Sequence, residues 1–421
     1  MRVLVLNCGS SSIKFELRRI TGGSEADAVT AGATEADSVL AEGLVGRVGD
    51  DGSFIEIQTG GEDDPHERRQ EVPVPGHGRG LELIVDALVD PSAGVLNDLS
   101  EVSAVGHRVV HGGRYFTAPA LVTSEVIARI EEEAHLAPLH NPPTLLGIRE
   151  ALRILPDIPH VAVFDTGFHA TLPETARVYA LPYRFYEENG VRRYGFHGIS
   201  VASVAQKLDR LLAGRLKESK AIIAHLGNGA SITALDRGRS VDTSMGLTPL
   251  EGLVMGTRPG DLDAGVVLFL IRDLGLSPDE VDRVLSEESG LLGLSGVSND
   301  MRDVETDASK GDARCRLALD VYAYRVKKYI GAYAAAMGGL DALVFTAGVG
   351  ENDPDMRAAI CEGLQFLGIG LDTEVNAATR GVEGDIGAAH AKVRVFVVPT
   401  DEEGLIARET WARIDSSHRP T

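Results

Sequence analysis

The sequence predicts an α/β protein with mixed sheets, built from two related domains. Three observations predict it. Short apolar strands alternate with helical patterns along most of the chain. One strand–turn–strand plan occurs twice, as VLVLNCGSSSIKFEL at Val3–Leu17 and as IIAHLGNGASITAL at Ile222–Leu235. Two mostly apolar runs, HVAVF at His160–Phe164 and LDALVFT at Leu340–Thr346, each end on a polar or glycine-rich turn, as buried strands do.

The repeat sets Asn7, Gly9 and Ile13 against His225, Gly227 and Ile232, with the second turn one residue longer. Glycine and small residues let backbone N–H groups converge on an anion, because no Cβ blocks the approach. Each loop alone also reads as a plain tight turn. Two similar ones on strand ends read as halves of a phosphate clamp in a nucleotide-using enzyme.

The elements follow in order. After the first hairpin, Thr21–Asp37 and Gly60–Arg69 are polar and acidic and read as solvated loops between edge strands. A helical pattern covers Leu81–Leu88, and Val102–Val110 reads as a strand carrying His107 and Arg108 near its end. Ser124–His135 is an amphipathic helix, and Asn141-Pro142-Pro143 opens another, with proline where a first-turn N–H has no partner. The strand at His160–Phe164 ends on Asp165, where a domain change is expected. Beyond the second hairpin, Asp261–Leu274 and Ala318–Met337 read as helices. Leu340–Thr346 runs into AGVGENDP, where Asp353 and Pro354 are a helix N-cap and first residue, so the glycines lie between a strand end and a helix start. Val393–Val398 is a last strand and Gly404–Ile414 a closing helix.

Composition narrows the function. At 421 residues the chain is long enough for two to three domains, and its 43% hydrophobic content is that of a packed globular protein. A net charge of −21 and a pI near 5.0 argue against nucleic-acid and anionic-membrane partners, which need a basic footprint. Cys8, Cys315 and Cys361 form no C-x-x-C pair, which points to a reducing, cytoplasmic location rather than a disulfide framework or thiolate metal site. The apolar run Val3–Leu6 is too short for a signal segment, and a soluble, unprocessed protein is expected.

Neither G-x-x-x-x-G-K-[ST], nor G-x-G-x-x-G after a strand, nor G-x-S-x-G is present. Arg108 and Arg258 stand among turn residues, where planar guanidinium groups can hold a carboxylate or phosphoryl group bidentately. The alternative is ordinary surface charge. His197, in YGFHG before a helix opened by Ser200, is placed to donate to a transferring phosphoryl oxygen or to serve only as a structural histidine. The other histidines lack zinc-site spacing. Asp165 and Glu402, at the ends of buried strands, with Asn7 nearby, suit a sparse magnesium site for phosphoryl transfer, or serve as helix caps.

These blocks resemble the acetokinase family, in the superfamily that acetate and sugar kinases share with heat-shock chaperone ATPases and actin. The resemblance runs nearly end to end, through NCGSSSIKFEL from Asn7, VGHRVVHGG from Val105, FDTGFHATLP from Phe164, YGFHG from Tyr194, HLGNGAS from His225, DTSMGLTPLEGLVMGTRPGDLD from Asp242, FTAGVGEN from Phe345 and PTDEEGLIARET from Pro399. It implies two duplicated actin-like (ribonuclease H-like) domains with mixed sheets and an active-site cleft between them: residues 1–165 completed by the helix 402–421, and a nucleotide-binding domain at 166–401.

The resemblance also assigns roles. Asn7 and Glu402 would hold magnesium or manganese, and Arg108 and Arg258 the acetyl and phosphoryl groups. Asp165 matches an essential carboxylate, and His197 the histidine that stabilises the transition state. Ser10, Ser12 and Lys14 match the N-terminal phosphate loop. His225, Leu226, Gly227, Asn228, Gly229, Asp300, Met301, Arg302, Gly348, Val349, Gly350, Glu351 and Asn352 match nucleotide-binding segments. Val110, Leu139, Phe196 and Pro249 would line a small acyl pocket. Cys8, Asp401 and Met301 depart from the family's usual residues, and Met301 exchanges an aromatic contact with the nucleotide for a flexible thioether. The implied activity is reversible transfer of the ATP γ-phosphoryl group to acetate by a homodimer. The rivals are a propionate or butyrate kinase, a sugar kinase, and a nucleotide-gated binding module.

Overall fold

Two sheets repeat one strand plan. The structure, a computed structural model, describes residues 1–21, 37–60 and 66–418. The chain divides into two units, Met1–Gly167 with Glu402–Thr421, and Phe168–Asp401.

In the first unit the strands are β1 (Arg2–Cys8), β2 (Ser12–Arg19), β3 (Ser38–Gly46), β4 (Phe54–Thr59), β5 (His66–Glu71), β6 (Ala104–Val109), β7 (Ala120–Leu121) and β8 (His160–Phe164), in the spatial order β5-β4-β3-β2-β1-β6-β8-β7. In the second they are β9 (Lys220–Leu226), β10 (Ala230–Asp236), β11 (Arg239–Thr243), β12 (Ala342–Thr346), β13 (Gly384–Asp385) and β14 (Arg394–Val397), ordered β11-β10-β9-β12-β14-β13. In both, an antiparallel hairpin is followed by two strands parallel to its first arm, with a short antiparallel strand at the far edge. The first sheet adds β4 and β5 to this plan.

Central strands read as unbroken apolar runs because both faces are covered. In β1, Leu4 and Leu6 join the core with Ile84 and Leu88 of the helix His77–Leu88. Val3 and Val5 are equally buried, and the closing helix Glu402–His418 packs along β1, β6 and β8. Gly106 in β6 permits that packing: a Cβ there would lie 2.5 Å from Thr410 Oγ1 and 2.8 Å from Ile406 Cγ2. In the second unit the helix Gly198–Leu211 supplies Val201, Val204 and Leu208 to a core with Ile223, Val344 and Phe396.

The structure corrects several expectations. Residues 22–36 of the first acidic tract and 61–65 of the second lie outside the described residues. The end of the second tract is not a loop, since His66–Glu71 forms the wholly exposed edge strand β5. Cross-strand charge holds so polar a strand: Arg69 pairs with Glu56 at 3.1 Å and covers the Phe54 ring at 3.8 Å. The helix expected at Asp261–Leu274 covers Ala264–Arg272 behind an Asp263 cap. The helix expected from Ala318 begins at Ala313, because Asp312 accepts from Cys315 N.

The repeated hairpins also differ from expectation. Cys8 pairs with Ile13 and Asn7 with Lys14, whereas Leu226 pairs with Ala230 and His225 with Ser231. The second turn is therefore one residue shorter, not longer. Ile13 corresponds to Ala230 and Lys14 to Ser231.

Candidate active site

In open α/β sheets, ligands gather at the carboxyl ends of parallel strands. In the first unit that edge carries Asn7 at the end of β1, Arg108 on β6 and Asp165 just after β8. Arg108 donates from Nη2 to Asp165 Oδ2 at 2.7 Å and from Nε to Oδ1 at 3.2 Å, and its Nη1 reaches Asn7 Oδ1 at 3.5 Å. Asp165 is only 1% exposed. Burial works against the Arg108 charge, but Asp165 and Glu402 outweigh it and hold its pKa above the ordinary value. Glu402 is not at a strand end but begins the closing helix, where acidic side chains favour the first turn. Its Oε2 lies 3.8 Å from Arg108 Nε. Burial pushes the Glu402 carboxyl up to about 7, against the pull of Arg108 and together with repulsion from Asp165.

The first hairpin turn exposes Ser10 and leaves Ser12 half-buried. Gly9 N donates to Ser12 O at 2.8 Å, and buried His77, which the sequence did not single out, meets Gly9 O at 2.8 Å. Lys14 pairs with Glu403 at 2.6 Å. Val110 is buried beyond β6 beside a segment clamped by Asn141, whose amide accepts from His111 N at 3.1 Å and donates to His111 O at 3.0 Å. Leu139 is 53% exposed.

In the second unit His197 is the N-cap of the helix Gly198–Leu211, at φ +55°. Ser200 thus lies within the first turn instead of opening the helix. His197 Nδ1 meets Ser231 Oγ at 3.0 Å, and its ring stacks on His225 with centroids 4.1 Å apart. His225 Nδ1 meets Ser200 Oγ at 2.8 Å, and Ser200 meets Thr400 Oγ1 at 2.8 Å. By strand order and register, His225, Thr346 and Thr400 hold the positions that Asn7, Arg108 and Asp165 hold in the first unit.

Gly229 brings His197 and Arg258 together. A Cβ there would lie 3.0 Å from Arg258 Nη2 and 3.3 Å from His197 Nε2. Arg258 Nη1 donates to Pro249 O at 2.7 Å. Burial lowers the Arg258 pKa to about 10, and among the described residues no carboxylate pairs with it. A desolvated cation of this kind favours an anion. Phe196 is 1% exposed and belongs to the core.

The residues expected to bind the nucleotide divide. Gly227, Asn228, Asp300, Met301, Arg302, Gly348, Val349 and Asn352 line a cavity of about 620 Å³, within the size range of ligand pockets. Asp300 caps the helix Met301–Ser309 by accepting from Arg302 N, and pairs with the Arg302 side chain at 2.6 Å. Leu291, Asn299, Glu305, Asp353, Asp355 and Arg380 line the cavity too. These come from separated stretches with no local signal. His225, Leu226, Gly229, Gly350 and Glu351 are not among its lining. Leu226 is buried, and Glu351 Oε1 accepts from Ala347 N at 2.7 Å and Thr400 N at 3.0 Å, tying the ends of β12 and β14.

The glycines of AGVGEN are helical, in Ala347–Asn352, rather than lying between strand and helix. Arg357 supports them. Fully buried, it donates to Gly350 O, Glu351 O, Asn376 Oδ1, Asn376 O and Thr379 O at 2.7–3.0 Å. Sequence reasoning missed it because an arginine in a helix reads as surface charge.

Solved structures share this fold with acyl kinases. An acetate kinase of Porphyromonas gingivalis matches with a TM-score of 0.88 at 44% identity, over 98% of this chain and 99% of that one. A propionate kinase of Francisella tularensis matches with a TM-score of 0.87 at 37% identity, over the same shares. A sequence profile of the acetokinase family matches residues 2–408. The acetate kinase of Halothermothrix orenii is 52% identical over 417 residues, 99% of this chain and 100% of the relative, and that of Thermotoga maritima 50% identical over 412 residues, 97% and 98%. The chain belongs to the acetokinase family.

Proposed function

We propose that this protein transfers the γ-phosphoryl group of ATP to acetate, reversibly, forming acetyl phosphate and ADP. The observation that carries the reading is the half-buried Arg258 guanidinium, which approaches Gly229 together with His197 Nε2 and has no carboxylate partner among the described residues. It fits a site that receives a phosphoryl or carboxylate anion, and it stands in a chain 52% identical to an acetate kinase.

A carboxylate with an ordinary pKa near 4 is already ionised at neutral pH and needs no general base. An acetate oxygen bonds to the γ-phosphorus as the bond to the β–γ bridging oxygen breaks, and ADP leaves with that electron pair. Arg258 and His197 would neutralise charge on the transferring group, and Arg108, fixed by Asp165, would hold the acetyl group. The cavity lined by Asn228, Met301, Gly348 and Asn352 would take the nucleotide.

Magnesium fits the donor set of the first unit. Asn7 Oδ1 and Glu402 Oε2 both approach Arg108, and hard oxygens completed by water and phosphate suit the ion. Among the described residues no group of three His, Cys, Asp or Glu side chains forms a closed metal site. Bound magnesium would supply charge neutralisation on the phosphates, and Glu402 and Asn7 would hold it.

A homodimer accords with the helix Ala264–Arg272, which buries no residue and exposes Val266, Leu268 and Phe269. Three free cysteines, all buried, accord with a cytoplasmic location. Trapping acyl phosphate as the hydroxamate, with acetate, propionate, butyrate and glycerol in parallel, tests the activity. One methylene discriminates by only about 1–3 kcal/mol, so the ratio of kcat/KM values decides among the acids. A clear preference for propionate would overturn acetate as the substrate.

A further inference from the structure

We propose that Asp261 is a positioning residue for Arg258, its carboxylate closing the loop Gly252–Asp261 and thereby fixing the direction in which the guanidinium leaves that loop. This rests on the reading in which Arg258 holds the transferring group.

The closure runs both ways. Gly252 N donates to Asp261 Oδ1 at 3.0 Å, and Asp261 N donates to Gly252 O at 3.0 Å. The base is packed backbone on backbone. Gly252 stands at φ +109°, where a Cβ would lie 2.6 Å from Ser244 O, and Gly260 at φ +70°, where one would lie 2.3 Å from Gly252 O. Side chains other than hydrogen fit at neither place, so Gly252 lies against the backbone of Ser244, outside the loop, and Gly260 closes backbone on backbone against Gly252.

The long helix Ala313–Met337 holds Asp261 from outside the loop. Tyr329 Oη donates to Asp261 Oδ2 at 2.8 Å, and Arg325 Nη1 donates to Asp261 O at 3.0 Å and lies 3.7 Å from Oδ2. Burial, and then the Asp261 charge, raise the Tyr329 pKa, which keeps the hydroxyl a donor. Within the loop, Leu253, Val254 and Met255 are buried, and Met255 N donates to Arg258 O at 3.0 Å. Arg258 stands three residues from Asp261 on a segment with both ends tethered, and its guanidinium is turned onto Pro249 O. Asp261 acts through this loop rather than on a substrate.

The test is a double-mutant cycle on the full chain, read by acyl phosphate formation. Asp261→Ala is expected to lower kcat about 100-fold, the scale of a misplaced catalytic group, with KM for ATP little changed. Asp261→Asn keeps an oxygen for Gly252 N and is expected to recover most of the loss. Tyr329→Phe, which removes a single hydrogen bond, is expected to lower kcat less and to leave a folded enzyme should Asp261→Ala unfold. Added to Arg258→Ala, either change is expected to cost nothing further, because a positioning residue has no effect once its target is gone. Full kcat in Asp261→Ala, or in Tyr329→Phe where Asp261→Ala does not fold, overturns the proposal, as do losses that multiply in the double variants. Wild-type enzyme making no acyl phosphate from any acid overturns the phosphotransfer reading, and this proposal with it.

Discussion

Asp165 grips Arg108 with both carboxylate oxygens, at 2.7 and 3.2 Å, so two of the three nitrogens of the guanidinium are engaged before any substrate arrives. Nη1 donates to Asn7 Oδ1 at 3.5 Å, the longest of the three contacts, and is the nitrogen proposed to address an anion. A lysine cannot serve both partners, because its ammonium is a point charge on a flexible stem. Arg108→Lys is therefore expected to fold with a melting temperature close to wild type and to lose about 100-fold in kcat, the scale of a lost transition-state donor. Calorimetry and steady-state kinetics on the same preparation check it, and wild-type kcat would remove the fork geometry from the mechanism.

Arg258 makes the opposite case, a desolvated cation whose guanidinium donates to Pro249 O. Among the described residues its removal leaves no carboxylate stranded. Arg258→Ala is expected to keep or slightly raise the melting temperature while kcat falls by about 100- to 1,000-fold. A variant that retains kcat would take Arg258 out of the reaction.

Arg357 is buried among five acceptors, two of them the carbonyls of Gly350 and Glu351 in the last turn of the helix Ala347–Asn352. Replacement by methionine fills the volume but strands those acceptors, at about 1 kcal/mol or more each. Arg357→Met is expected to lose more than about 3 kcal/mol in urea unfolding and to bind ADP more weakly. Unchanged ADP affinity by titration calorimetry would separate Arg357 from the nucleotide side.

His107 and His160 predict a pH dependence of stability. His160 Nε2 donates to Leu155 O at 3.0 Å, which leaves its Nδ1 to accept from His107 Nε2 at 2.9 Å, so both rings are satisfied when neutral. Burial depresses both pKa values, and His160 depresses that of His107 further. The unfolded chain then takes up protons from about pH 6.5 downward, where the folded chain does not. Stability from this pair is present above that pH and is lost as the pH falls toward the depressed values. The melting temperature is expected to drop between pH 7 and 5, and to drop less in His107→Gln. Equal slopes in the two proteins would refute the assignment.

Much of the fold was legible because its signals are local. HVAVF and ALVFT must be buried on both faces, and Asp353-Pro354 starts a helix through its own cap. The candidate site was legible as residue types on strand ends, as with Arg108 and Asp165, which the structure pairs. What failed depended on partners distant in sequence. The turn alignment matched Ile13 with Ile232 by side chain, whereas the pairing that decides it is His225 with Ser231. β5 was invisible because its stability comes from Glu56 and Phe54 on the neighbouring strand. Glu402 was misplaced because Val393–Val398 ends so near it that strand end and helix start look alike. No pattern announces Arg357, Asn141 or His77, since a buried polar residue is recognised by what it bonds.

The closing helix makes the first unit discontinuous, while the second, Phe168–Asp401, is one unbroken stretch. A ribosome therefore completes the second unit before the first. Until Glu402 and the residues after it emerge, Val3 and Val5 lack the cover of that helix, and the Arg108–Asp165 pair lacks its neighbouring carboxylate. Strand β1 thus belongs to the unit that is finished last, and the half bearing Arg108 and Asp165 is assembled only after every residue of the half with the 620 Å³ cavity has been synthesised.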